Sequence, residues 1–104
     1  MHLFLIPTNK GLKSVRAENI IRIQAISNYC KIYFDNEYPL TVAKLLLWFE
    51  GKLPEDIFYR IHRGHIVNRN FISSISCNKI LTLANGEQLQ ISKRKKNVVK
   101  KMVA

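Results

Sequence analysis

Between Phe58 and Ile72 the chain reads FYRIHRGHIVNRNFI, where Arg60, His62, Arg63, His65 and Arg69 fall within ten residues among apolar side chains. No carboxylate lies between Asp56 and Glu87. Guanidinium groups offer forked donors and imidazoles add further hydrogen bonds, so the chemistry such a stretch can perform is recognition of an anion. A second cationic run, Lys93-Arg94-Lys95-Lys96, follows Ser92 where a terminal helix begins. Cations at that end oppose the helix dipole, each at a cost of about 0.3–1 kcal/mol at low salt. Stability alone would place Asp or Glu there, whereas a phosphate site combines free backbone N–H groups with cations.

Catalytic chemistry has no comparable support. The span from Arg60 to Lys79 holds no Asp or Glu to bind a divalent cation or act as a base, which argues against a nuclease. No Gly-rich phosphate loop, G-x-S-x-G elbow or Cys/His nucleophile pattern occurs. His62 and His65 are three residues apart but lack further ligands at suitable spacing, so no metal is expected. The expectation is a binding protein without cofactor or small-molecule substrate, and not an enzyme.

The whole composition agrees with the local signal. In 104 residues, 17 Lys and Arg stand against 7 Asp and Glu, a formal net charge of +10 that favours nucleic acid or an anionic membrane surface. Apolar runs such as LLLWF fall well short of the roughly 20 residues that cross a bilayer. No secretory signal precedes Pro7, so a cytoplasmic location is expected. Cys30 and Cys77 are too widely spaced for a redox or zinc motif and are expected as reduced thiols, Cys77 as core filler within ISSISC. The length fits one domain over residues 1–104.

The elements that must position the cations are short. A strand from Leu3 stops at Pro7, and TNKG makes a turn. Ile20 to Ile26 is β-branched and forms a strand ending at Ser27-Asn28, and Tyr29 begins the return. Ile32 and Phe34 alternate with Lys31, Tyr33 and Asp35, Asp35-Asn36-Glu37 turns the chain, and Tyr38 to Val42 leads back. In AKLLLWFEGK the period changes, with Leu45, Leu46 and Phe49 at helical spacing, Thr41 as cap and Gly51 as stop. Phe58, Ile61, Ile66, Val67, Phe71 and Ile72 anchor the basic stretch to a core. Ile75 and Cys77 suggest a strand, and Lys79 to Ser92 form a hairpin around Asn85-Gly86, the preferred type I′ pair. After Ser92, Val98, Val99, Met102 and Val103 share one arc of a helix, with Lys93, Lys96, Lys100 and Lys101 opposite.

At this point the chain resembles the LytTR DNA-binding domain of bacterial transcriptional regulators. NIIRIQAISNYCKIYF is similar to that family's strand, loop and strand. FYRIHRGHIVNRNFI is similar to its F-x-R-x-H-R-S-x-I-V-N signature, and LANGEQLQISKRKKNVVKK to its closing hairpin and basic helix. The resemblance implies a mostly β fold of short antiparallel sheets with two small helices, the C-terminal one basic. It also implies loops, in place of a recognition helix, set into successive major grooves, with two copies on paired DNA repeats and a homodimer on DNA. Carried over by position, the loops are Asn28-Tyr29, His62-Arg63-Gly64 and Lys93 to Lys96.

On this reading Tyr29, Arg63 and Arg94 contact bases, while Asn28, Lys31, His62, Gly64, His65, Ser92, Lys93, Lys95 and Lys96 contact or support the backbone. Gly64 stands where the family has Ser, and His65 where an aromatic such as Tyr is common. The implied function is sequence-specific double-stranded DNA binding by a transcriptional regulator, stand-alone or the C-terminal output domain of a response regulator. The sequence holds no room for the family's usual receiver domain. Two other readings compete: a single-stranded RNA or DNA module stacking bases on Tyr29 and Tyr33, and an interaction module for acidic proteins or an inactive antagonist.

Overall fold

The computed structural model describes residues 3–77 and 79–102. At its start, Thr8 closes a tight turn over Asn9-Lys10, its hydroxyl donating to the Gly11 carbonyl at 2.8 Å and accepting from the Lys10 N–H at 3.1 Å. Gly11 supplies the positive φ of 116° at the exit. From this turn β1 (Leu3–Thr8) and β2 (Gly11–Arg16) pair antiparallel, and β2 is a strand the sequence pattern does not announce. The strand expected to stop at Pro7 runs through it, with Pro7 opposite Leu12. Each strand of a two-stranded ribbon is an edge, where a missing N–H is tolerated.

The central layer is an antiparallel sheet in the order β5-β4-β3-β7-β6. Its strands are β3 (Ile20–Ile26), β4 (Tyr29–Phe34), β5 (Leu40–Val42), β6 (Phe58–His62) and β7 (His65–Asn68). The basic stretch is therefore a hairpin, β6–β7, with Arg63-Gly64 at its tip. A smaller antiparallel sheet, β10-β9-β8, follows from β8 (Ile72–Ser76), β9 (Ile80–Leu83) and β10 (Gln88–Gln90). The helices are α1 (Leu46–Glu50) and α2 (Lys96–Met102). The expected mostly β fold with two small helices, one C-terminal, is what the chain adopts.

Strand alternation sends side chains to two cores. Ile20, Ile23, Cys30, Ile32, Phe58 and Ile66 pack with Ile6, Val15 and Phe49, while Ile61 and Val67 pack with Leu81, Leu83, Leu89 and Val99. Burying each such side chain stabilises by about 1.5–3 kcal/mol. The register shift in β6 between Arg60 and His62 puts Ile61 into the second core and brings His62 opposite His65. Of the expected anchors, Phe58, Ile61, Ile66 and Val67 are buried, whereas Phe71 and Ile72 are half-buried against the second core.

Some local expectations fail for physical reasons. Thr41 does not cap α1, because it lies in β5 opposite Lys31, and Leu45 takes the N-cap with no side-chain bond. Leu46 and Phe49 carry the buried face of that short helix while Leu45 is exposed. The return strand starts at Leu40, and Tyr38 lies outside it, exposed. Cys77 is not core filler: it is exposed at φ 51°, in a turn closed by the Lys79 N–H donating to the Ser76 carbonyl at 2.9 Å. The β9–β10 turn is not type I′. Gly86 has φ 92° but Asn85 is not left-handed, and the Gly86 N–H donates to the Leu83 carbonyl at 2.9 Å, so Ala84-Asn85 are the central pair. Asn85 instead accepts from the Glu87 N–H at 3.0 Å. Val99 and Met102 are buried and Val98 half-buried as expected; Val103 lies outside the described residues.

Candidate nucleic-acid interface

The β6–β7 turn is held from three sides. Arg60 donates through Nη2 to the Arg63 carbonyl at 2.8 Å, and its Nη1 pairs with the Glu50 carboxylate of α1. The Gly64 N–H donates to His62 Nδ1 at 3.1 Å, which leaves the proton of the neutral ring on Nε2. The Gly64 carbonyl accepts from the Ala25 N–H of β3 at 2.9 Å. With its carbonyl fixed, Arg63 is exposed and its guanidinium has no hydrogen-bond partner among the described residues. A Cβ at Gly64 would meet only His62 Nδ1, at 3.5 Å, so the serine that the family places here would fit.

Because β3 runs antiparallel to both β4 and β7, the β3–β4 turn and the β6–β7 turn leave the sheet at the same end. Ser27, at φ 56°, makes the first of them; Asn28 follows exposed, and Tyr29 is 51% exposed. Ile26, opposite Tyr29 and 45% exposed, adds an apolar neighbour. Lys31 is half-buried two residues along β4.

The third cationic segment is tied to the same sheet. The Ser92 N–H donates to the Ile61 carbonyl of β6 at 2.9 Å, one residue before His62. The Ser92 hydroxyl accepts from the Arg94 N–H at 3.2 Å, capping a 3-10 turn over Lys93–Lys95 that leads into α2. Lys93, Arg94 and Lys96 are exposed. Lys95 differs, being half-buried along a cleft also lined by Glu50, Glu55 and Asp56. The predicted residues thus fall in a row: the β3–β4 turn, the β6–β7 turn, and the start of α2 beside β6. None of these segments contains a carboxylate, the acidic residues being Glu18, Asp35, Glu37, Glu50, Glu55, Asp56 and Glu87.

The aromatics do not form a stacking platform. Phe34 is buried, and the Tyr33 ring carries the Arg22 guanidinium at 3.9 Å and Lys31 Nζ at 5.3 Å. Tyr29 and Tyr38 are exposed but stand apart, Tyr29 as the first residue of β4 and Tyr38 beyond its other end. His62 and His65 lie with ring centroids 5.4 Å apart, and among the described residues no three His, Cys, Asp or Glu side chains gather as a metal site.

The model of the LytTr DNA-binding domain matches residues 10–104. The chain belongs to the LytTR family. Four chains of solved structures match it. One of them is described as the LytTr DNA-binding domain of a methyl-accepting/DNA response regulator from Bacillus cereus. It is 26% identical, with a TM-score of 0.82 over 100% of this chain and 98% of that one. No match is found among curated proteins. Membership of this family makes DNA binding and transcription regulation the function of the domain, and no described helix is long and apolar enough to cross a membrane.

In this LytTR domain the residues that hold the loops are mostly ones the sequence pattern did not single out. Arg60 was one basic residue among five, yet its partners make it the brace of the turn. Arg22 is 5% exposed in β3 and joins the two sheets through Glu87 Oε2 at 2.9 Å. A cation in an otherwise Ile-rich strand, IIRIQAI, was the available signal.

His65 gives the LytTR domain a pH dependence. Burial pushes its imidazole below the ordinary histidine range, and the Arg22 and His62 charges add to the effect; its Nδ1 is buried with no hydrogen-bond partner among the described residues. The unfolded chain therefore binds the proton more readily below about pH 6.5, and stability falls as pH drops through that value towards the lower folded one. Thermal unfolding should show a melting temperature decreasing from pH 7.5 to 5.5, and His65→Tyr should flatten that decrease. An unchanged slope in the variant rejects the assignment. The Glu87 carboxyl, held below the usual range by hydrogen bonds from Arg22 and Asn85 against the opposing effect of burial, acts only at more acid pH.

Proposed function

We propose that the domain binds double-stranded DNA sequence-specifically, presenting the β3–β4 turn, the β6–β7 turn and the start of α2 to successive major grooves as a transcriptional regulator. The observation that carries this reading is the alignment of three carboxylate-free polar segments at one end of a single sheet. Arg63 and Arg94 supply forked donors for guanine O6 and N7, and Tyr29 with Ile26 offers an apolar contact for a thymine methyl. Asn28, Lys31, His62, His65, Ser92, Lys93, Lys95 and Lys96 contact or support the phosphate backbone, which fixes register without reading sequence. Paired repeats occupied by two copies, and service as the output domain of a response regulator, belong to the same proposal.

Selection from a random duplex library tests it, with single-stranded competitor in a second arm. The expected result is an enriched duplex motif and competition by duplex over single strands at equal salt; enrichment of nothing, or preference for single strands, rejects the reading. Lys96→Ala should weaken all duplexes alike and lower the slope of log affinity against log salt by about 1, since it removes one phosphate contact. A loss confined to the selected motif would contradict that role.

A further inference from the structure

Cross-strand pairing builds a polar row directly beneath the two turns. Lys31 of β4 lies opposite Gln24 of β3, Gln24 lies opposite His65 of β7, and His65 lies opposite His62 of β6. Directly opposed residues share a face of the sheet, so the four side chains line one side of it in sequence. All are half-buried, within reach of solvent. Lys31, His62 and His65 already belong to the proposed interface, and Gln24 sits between them.

Gln24 differs from an ordinary surface glutamine in that its amide is held in one orientation. Arg22 Nη1 donates to Gln24 Oε1 at 3.0 Å. A guanidinium has donors only, so the amide cannot turn its nitrogen towards Arg22. Arg22 is itself fixed: buried, bonded through Nη2 to Glu87 Oε2 at 2.9 Å, and set 3.9 Å over the Tyr33 ring. Gln24 Nε2 is bonded to no described residue and is not among the buried unpaired atoms. His62, at the end of the row, is likewise restricted, because Nδ1 accepts from Gly64 and Nε2 carries the proton. The row therefore shows donors outward.

We infer that Gln24 is a specificity residue of this interface, reading an acceptor on a base edge through Nε2 while Arg22 positions it by holding Oε1. The inference rests on the DNA-binding reading above. A free glutamine pairs with adenine by accepting from N6 and donating to N7. With the amide held so that Oε1 faces Arg22 and Nε2 is the outward group, guanine O6 and N7 or thymine O4 meet a donor, whereas the N6 amino group of adenine and the N4 amino group of cytosine face another donor and adenine keeps only its N7 acceptor.

Random-duplex selections with the wild-type chain, Gln24→Leu and Arg22→Met test this, with melting temperatures measured alongside. The wild type should show a position where guanine or thymine is preferred over adenine and cytosine by about five- to hundred-fold, the range of one good base contact. Gln24→Leu should flatten that position alone, to within about two-fold, and leave the others intact. Arg22→Met frees the amide and should admit adenine there. Should Arg22→Met fail to fold, Gln24→Leu, a change at a half-buried position, still decides the matter. Identical preferences in wild type and Gln24→Leu, or adenine as the base whose preference that variant loses, overturn the inference while leaving DNA binding in place. A wild type that enriches no duplex overturns both.

Discussion

Arg63→Ala and Arg94→Ala are each expected to lower affinity for the selected duplex by about five- to hundred-fold while changing affinity for scrambled DNA far less, as loss of a good base contact does. Both side chains are exposed and the backbone around them is held by other groups, the Arg60 guanidinium at the Arg63 carbonyl and the Ser92 hydroxyl at the Arg94 N–H. Melting temperatures should accordingly stay within about 2 °C of wild type, as expected for surface changes within about 0.5 kcal/mol. Fluorescence anisotropy with cognate and scrambled duplexes at one salt concentration reads both affinities. An unchanged ratio between them rejects the base-reading role, and an equal loss on both duplexes reassigns the residue to phosphate.

Asn68→Leu is expected to do the opposite, abolishing stability before it touches specificity. Asn68 is fully buried; its Nδ2 donates to the Ile20 carbonyl at 3.0 Å and its Oδ1 accepts from the Asn70 N–H at 2.8 Å. Those bonds fasten the end of β7 to the start of β3 and cap the 3-10 turn over Arg69–Phe71. Leucine fills a similar volume but leaves a carbonyl and an N–H unpaired, at about 1–3 kcal/mol each. A total of about 2–6 kcal/mol corresponds to a melting temperature lower by roughly 10–30 °C for a domain of this size. Denaturant unfolding with a midpoint within experimental error of wild type would show that the pair of bonds is not structural. In a stretch met first as a charged edge, the signature asparagine thus holds the fold, while Arg63, five residues earlier, is exposed and is the residue proposed to meet the ligand.

The separation of these roles marks how far the sequence could be read. Charge, acid-free spans and the resemblance located the second and third loops, and the interruption at Ser27-Asn28 located the first. β-Branched composition identified β3, and period-two alternation identified β4, where Cys30, Ile32 and Phe34 face one core. What alternation cannot show is where it slips. The shift between Arg60 and His62 decides that His62 faces His65, and the shift between Ile20 and Arg22 decides how β3 meets β4. Neither leaves a composition signal. GLKSVR does not show β2 because it buries only Val15 among its residues, and ISSISC misplaces Cys77 because it continues the strand pattern one residue beyond the end of β8, into the turn. The roles of Arg22 and Arg60 depend on partners 65 and 10 residues away, so no local pattern marks them.

The clamped β6–β7 turn has a consequence for the thermodynamics of complex formation. Ordering a flexible residue costs roughly 1–2 kcal/mol of backbone entropy, and a loop that must be ordered on contact subtracts this from its affinity. Here the Arg63 carbonyl, the Gly64 N–H and the Gly64 carbonyl are all bonded before any ligand arrives. Arg63 has only its own side-chain freedom left to lose, whereas exposed Lys93 and Lys96, on the DNA-binding role proposed for them, would act mainly through counterion release. Calorimetric titration across salt concentrations should therefore separate a salt-insensitive enthalpic share, carried by the turn, from a salt-dependent entropic share carried by the start of the last helix.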